Sequence, residues 1–446
     1  MRKTRYRNRR RRFLTIFIVI LLVALAAEIG YGVFLYNRGD INNPSSGDKS
    51  IGLNTPSYQT DTVESSTPTP TPTTPVNTSE EPVQEGDKLK EQIMSMSLDE
   101  KIGQMVIVGL DGYSADEHAR QMIEEYNVGG FILFKSNIQN SNQMLELLNS
   151  LKSINRANKV PLFLSVDEEG GRVSRLPDEF LKIPSNKTIG KLNNSSVSHQ
   201  VGSIIGEELE SFGMNMDFAP VLDINSNPKN PVIGDRSFGT VPDLVSKLGV
   251  ETMKGLQSQN IIPVVKHFPG HGDTSTDSHV GLPRVNNDLK RLRNFELRPF
   301  AHAIENGAEA VMVAHILLPK IDPQNPASFS KTIITDVLRT EMNYDGVVIT
   351  DDFTMGAIVK NYNIGQAAVK SILAGSDIVL VCHDFEKQKA VISALKNAAQ
   401  SGRLPMDRID QSVTRIMKLK QEHKITDDRA NAVDPKPINE KIRSLF

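Results

Sequence analysis

The sequence predicts an α/β protein built as one (β/α)₈ TIM barrel, preceded by a transmembrane helix and a disordered linker. Three observations carry this expectation. From Leu89 onward, eight short apolar runs alternate with longer amphipathic segments. The runs end, on their C-terminal sides, in polar residues that an apolar core does not need. The first eighty-odd residues have no composition from which a core could be packed, which leaves roughly 360 for the barrel, an ordinary size for that fold with insertions.

The runs are Gly103–Leu110, Val128–Phe134, Pro161–Asp167, Met216–Ile224, Ile261–Phe268, Glu309–Leu317, Gly346–Asp352 and Asp377–His383. Each is nearly continuous in Val, Ile, Leu or Phe, as strands covered on both faces must be. Between them, Ser141–Arg156, Asp243–Gln259, Leu289–Glu305 and Ile364–Leu373 carry the helical period. Eight such units favour a closed parallel barrel, with an open doubly wound sheet as the alternative.

Ahead of the barrel, eight of the first twelve residues are Lys or Arg, and Phe13–Tyr36 is an apolar run of about 24 residues. That length spans a hydrocarbon core of about 30 Å. The basic residues 1–12 are expected to stay cytoplasmic and the bulk of the chain to lie outside the cell membrane, by the positive-inside rule. A cleaved signal peptide over Phe13–Ala27 is the rival, and it too implies export. Residues 37–87, rich in Ser, Thr and Pro with TPTPTPTTP at Thr67–Pro75, read as a disordered, semi-rigid spacer. The catalytic barrel is expected over 88–446.

The net charge of −2 leaves no basic face for nucleic acid. Cys382 is the only cysteine, which excludes an intrachain disulfide and thiolate zinc sites.

The polar residues at the run ends are Asp167, Asp223, Lys266, His267, His315, Asp351, Asp352 and His383, all at the rim where barrel enzymes place their active sites. The densest cluster is VVKHFPGHGDTSTDSHVGLP, Val264–Pro283. Metal binding is a weak reading because the His spacing is irregular and Lys266 repels a cation. A plain surface turn does not explain Lys266 and His267 leaving a buried strand. Proton transfer fits best: Asp277 and His279 are two apart, so the carboxylate can hold the imidazole in one tautomer. At Val347–Gly356 a strand ends in two adjacent carboxylates. Alternation turns one into the site, where it can attack an anomeric carbon, and packs the other behind it. A helix N-cap is the bland reading of that pair. Arg172 and Arg175 in SVDEEGGRVSRL and Arg236 in VIGDRSFG are either solvated loop charges or forked donors for a substrate.

KHFPGHG followed by D-S-H, together with DEEGGRVSR, GDRSFG and the segment Leu338–Gly356, resembles the bacterial β-N-acetylhexosaminidase (β-N-acetylglucosaminidase) branch of glycoside hydrolase family 3, in the same order and over about Leu89–Lys420. The resemblance implies retention of configuration through a covalent glycosyl-enzyme. It implies Asp351, after Thr350, as nucleophile, His279 as acid/base and Asp277 as the residue that orients it. It also implies Asp167, Arg175, Arg236, Lys266 and His267 as sugar-binding residues. The expected substrate is a GlcNAc-containing glycan or muropeptide from peptidoglycan turnover, with neither metal nor organic cofactor. An imidazole in place of a second carboxylate also suits phosphate as acceptor, so phosphorolysis stays open, as does an inactive wall-sugar-binding module.

Overall fold

The computed structural model describes residues 85–279 and 281–446. The readings of 1–12 as a basic cytoplasmic segment, of 13–36 as a membrane span and of 37–87 as linker lie outside the described residues, except that 85–87 open the helix Glu85–Met94 rather than ending a disordered linker. Among the described residues, no helix is long and apolar enough to cross a membrane.

Each of the eight apolar runs contains one strand: β1 (Val106–Gly109), β2 (Gly130–Leu133), β3 (Phe163–Val166), β4 (Met216–Asp217), β5 (Ile262–Phe268), β6 (Ala310–Val313), β7 (Val347–Asp352) and β8 (Ile378–Val381). They close into a parallel barrel in the order β1-β8-β7-β6-β5-β4-β3-β2, so the closed sheet, not the open one, is adopted. The strand residues are buried almost throughout, the two carboxylates that end β7 excepted. Removing such side chains from water on both faces stabilises by about 1.5–3 kcal/mol for each large aliphatic. The structure extends the run Met216–Ile224 as a strand for two residues only. Pro220 has no N–H to give to a ladder, and pairing resumes as a single bridge between Val221 and Lys266.

The helices begin where side chains can cap them. Asp116, Asn140, Asn194 and Asn363 each accept a backbone N–H of the first turn. The expected helix Leu289–Glu305 is two helices, Leu289–Asn294 and Arg298–Glu305. Pro299 is the cause: it is at home in a first turn but would interrupt a continuous helix. A small antiparallel hairpin, Leu317–Leu318 with Asp322–Pro326, follows β6. The helix Met406–Glu422 packs at the N-terminal end of the barrel, where Lys420 reaches the carbonyls of Gly129 and Pro161 ahead of β2 and β3, whereas Asn439 in the last helix bonds to Glu179 and Leu181 in the loop after β3. The opposite, C-terminal rim is left to the loops that carry the polar residues.

Candidate active site

Beyond β3 the chain continues Asp167-Glu168-Glu169, and alternation sends the first and third toward the barrel axis and the second behind. Gly170 and Gly171 then turn the chain at φ of +76° and +56°. A Cβ on Gly171 would stand 2.7 Å from the Cβ of Ser185, so the turn needs the glycine. The loop after β4 brings Arg236 in on a short turn, Gly234–Arg236. β5 delivers Lys266 and His267; the peptide bond between them is cis, and both side chains line the same cavity.

These groups form one charged wall. The Lys266 ammonium, 1% exposed, donates to Asp167 at 2.5 Å and to Glu169 at 2.7 Å. Arg236 grips Glu169 with two bonds of 2.8 and 2.7 Å. Burial alone would keep Glu169 protonated, but the Arg236 and Lys266 cations override it and hold the carboxyl far below the usual range. Burial likewise opposes the Lys266 charge, and Asp167 and Glu169 outweigh it, so its pKa is raised. Next along the wall, His267 Nδ1 lies 2.6 Å from the buried Asp223 carboxylate, and its Nε2 lies 3.3 Å from Arg236. A guanidinium only donates, so Nε2 is the acceptor and Nδ1 carries the proton given to Asp223.

The facing wall comes from β6 and β7. Asp351 is half-buried, and one of its oxygens accepts the Asp352 N–H at 2.8 Å. Burial pushes its pKa up, but the His315 and His267 imidazoles and that N–H prevail, so the carboxyl ionises more readily than usual. Asp352 packs the other way. It accepts the N–H groups of Thr354 at 2.8 Å and Cys382 at 2.9 Å, and also the Thr354 hydroxyl. Both acids line the cavity, but the Asp352 carboxylate is taken up by these donors, whereas one Asp351 oxygen is bound only by the adjacent N–H. Asp352 fastens the turn ahead of the short helix Gly356–Val359 rather than serving as its N-cap residue, a position held by Met355. His315 donates from Nε2 to the Asp352 carbonyl at 3.0 Å and accepts the Ser328 hydroxyl at 2.7 Å, and burial lowers its pKa.

Asp167, Arg175, Arg236, Lys266, His267, His279 and Asp351 all line one cavity of about 310 Å³. Asp277 does not line it. Its carboxylate accepts the His279 backbone N–H at 2.8 Å, not the imidazole expected from the sequence. The reason is local: an Asp closes a turn onto the N–H two residues on, and that spacing is the one present. The His279 ring is exposed at the cavity mouth, near enough for its charge to act on Asp351. His271 in the same loop is buried, braced by Thr274 at 2.8 Å and Ser278 at 3.3 Å, and burial pulls its pKa down to about 4. It is a neutral prop rather than a proton carrier. Arg175 enters the cavity with its Nε buried and without a partner among the described residues.

The sequence reading missed Glu169 as the centre of the charged wall and His315 as the neighbour of Asp351. Glu169 was legible: in Asp167-Glu168-Glu169 the residue two after an inward acid also points inward. Phe134 and His383, rings 4.8 Å apart, form a further patch of the cavity wall. No group of three or more His, Cys, Asp or Glu among the described residues is arranged to hold a metal ion.

The chain is 37% identical over 324 residues to beta-hexosaminidase A of Pseudoalteromonas piscicida, covering 67% of this chain and 54% of that protein. It therefore spans about half the length of that relative. With the beta-hexosaminidase of Nitrosomonas eutropha it shares 33% identity over 70% of this chain and 91% of the other. A solved structure, a glycoside hydrolase family 3 β-N-acetylglucosaminidase from a Paenibacillus species, superposes with a TM-score of 0.75 at 42% identity. It covers 79% of this chain and 68% of that one. The glycosyl hydrolase family 3 N-terminal domain matches residues 97–419, which include every strand of the barrel and both walls of the cavity, and the chain belongs to that family.

Proposed function

We propose that the protein is a retaining, exo-acting β-N-acetylglucosaminidase that removes terminal β-linked GlcNAc from peptidoglycan fragments. The observation that carries this is the sharing of one cavity by the Asp351 carboxylate and the His279 imidazole, opposite a wall of fixed donors and acceptors. The names of the hexosaminidase relatives and of the Paenibacillus enzyme support GlcNAc as the sugar. Asp351, kept ionised, attacks the anomeric carbon while His279 gives its proton to the departing glycosidic oxygen. The resulting glycosyl ester is then hydrolysed as His279 takes a proton from water, so two inversions give net retention. Asp277 orients His279 through the backbone turn. Asp167, Arg175, Arg236, Lys266 and His267 hold the sugar hydroxyls, and ion pairs among them and to Glu169 and Asp223 fix all but Arg175 before substrate arrives.

The test is release of the chromophore from a chromogenic β-GlcNAc glycoside by the full chain. Free GlcNAc is the expected product. GlcNAc 1-phosphate formed in phosphate buffer would convert the reading to phosphorolysis, and binding without turnover would convert it to a sugar-binding module. Retained activity in Asp351→Ala would overturn the nucleophile. The basic start and apolar run of the sequence support a single-pass anchor with the barrel outside the cell. Mass measurement of the protein from a membrane fraction separates an anchor from a cleaved signal.

A further inference from the structure

Glu168 stands between two inward-facing acids and itself faces away from the cavity, 2% exposed. One of its oxygens accepts the N–H of Arg175 at 2.7 Å and that of Leu176 at 3.3 Å. Its own N–H donates at 2.9 Å to Asp217, a fully buried acid that ends β4. The loop after β3 is thus fastened at both ends: its start to β4 through Asp217, and its return to its own start through the Glu168 side chain. Elsewhere the loop is held by the Gly171 N–H on Ile183 at 2.8 Å, the Glu169 N–H on Val173 at 2.9 Å, Arg172 on the Ile233 carbonyl and Asp235, and Lys135 on the Leu176 carbonyl at 2.7 Å. Ser174 adds its hydroxyl to Glu168. Besides the Glu168 bond, none of these holds the Arg175 backbone.

A carboxylate is a demanding acceptor at this depth. Burial raises its pKa to about 7, and the nearby acids Glu208 and Asp217 are themselves buried, 1% and 0% exposed. No ion pair from Lys or Arg is made to it among the described residues. What it provides is reach: one oxygen covers two successive N–H groups seven and eight residues on. The second of these residues, Leu176, is 5% exposed, so its N–H has little water to turn to. The first is Arg175, whose side chain projects into the cavity with an unpartnered Nε.

We propose that Glu168 is a positioning residue for substrate binding: by clasping the Arg175 and Leu176 backbone it sets the Arg175 guanidinium into the sugar-binding cavity. This rests on the reading that Arg175 contacts the substrate. Because such a contact exists before reaction begins, loss of the clasp raises KM and leaves kcat nearly alone.

The experiment is steady-state kinetics of the full chain on a chromogenic β-GlcNAc glycoside, with a thermal melt of each variant. Glu168→Ala is expected to raise KM about tenfold with kcat within about threefold. Glu168→Gln, whose amide oxygen can accept the same N–H groups, should recover KM to within about threefold of the parent. In an Arg175→Ala background, Glu168→Ala should add no further KM increase, because the residue it places is gone. Should Glu168→Ala not fold, Glu168→Asp, one methylene too short to span both N–H groups, replaces it in the same cycle. If Arg175→Ala raises KM while the Glu168 variant is silent or multiplies with it, the clasp is wrong and the binding reading survives. If Arg175→Ala itself leaves KM unchanged, the binding role of Arg175 falls and the clasp falls with it.

Discussion

At the N-terminal end of the barrel, the fully buried Asp377 at the foot of β8 accepts the Val348 N–H at 3.0 Å and the Ser412 hydroxyl at 2.9 Å. It also pairs with Arg339, Arg408 and Arg415. Nearby, the three ammonium protons of Lys420 meet three acceptors, on Gln104, Gly129 and Pro161. At the C-terminal end, Lys266, Glu169 and Arg236 are as deeply paired, yet the network stops short. Only one oxygen of Asp351 meets a protein donor among the described residues. Both ends bury charge. One closes its hydrogen bonds on itself and gains rigidity; the other leaves capacity pointing into a cavity, which is what ligand binding and chemistry require.

That contrast can be broken most sharply at Asp351. Asp351→Ala should lower kcat on the chromogenic substrate by on the order of 10⁴-fold or more, with little change in melting temperature, as expected for a group that acts in the reaction. His279→Ala should cost about 10²–10⁴-fold in kcat. A loss below tenfold in either would remove that residue from the chemistry. At the other end the signature reverses. Asp377→Ala strands three guanidinium groups and should destabilise by about 3–5 kcal/mol in denaturant unfolding, with kcat per folded molecule unchanged. Lys420→Met should follow the same pattern at about 1–3 kcal/mol, since three buried acceptors lose their donor.

The smallest effect sits at His423, whose Nε2 is 2.8 Å from Glu309 beside the start of β6. Burial opposes its charge, but the Glu309 bond and charge prevail, so its pKa is raised above the ordinary imidazole value. A raised folded pKa gives stability that is fully present below the unfolded value and is lost as pH climbs through the folded one. The stability of the parent should therefore decline relative to His423→Gln over that window. The Glu309 side chain keeps 26% of its surface in water, so the difference should stay near or below about 1 kcal/mol. Parallel melting curves for the two proteins across the window would dismiss the idea.

Much of this architecture was legible beforehand. Continuous Val, Ile and Leu runs identify strands buried on both faces without reference to any neighbour, and all eight form. The adjacent acids Asp351 and Asp352 could be split by alternation alone, because the strand period acts over two residues. Pro220 and Pro299, by contrast, interrupt β4 and the Leu289–Glu305 helix against the apolar pattern that surrounds them, which is why those two elements depart from expectation.

What the amino-acid order determined by itself is what has a short period: the strands and the rim position of each polar group. Only assembly of the strands into a sheet decided partnership. Lys266 meets Asp167 across 99 residues and Arg236 meets Glu169 across 67, distances over which no local pattern can specify which charge faces which. The physical reason is that backbone periodicity fixes direction within a few residues, whereas electrostatic pairing depends on a separation in space that exists only once β3, β4 and β5 lie side by side.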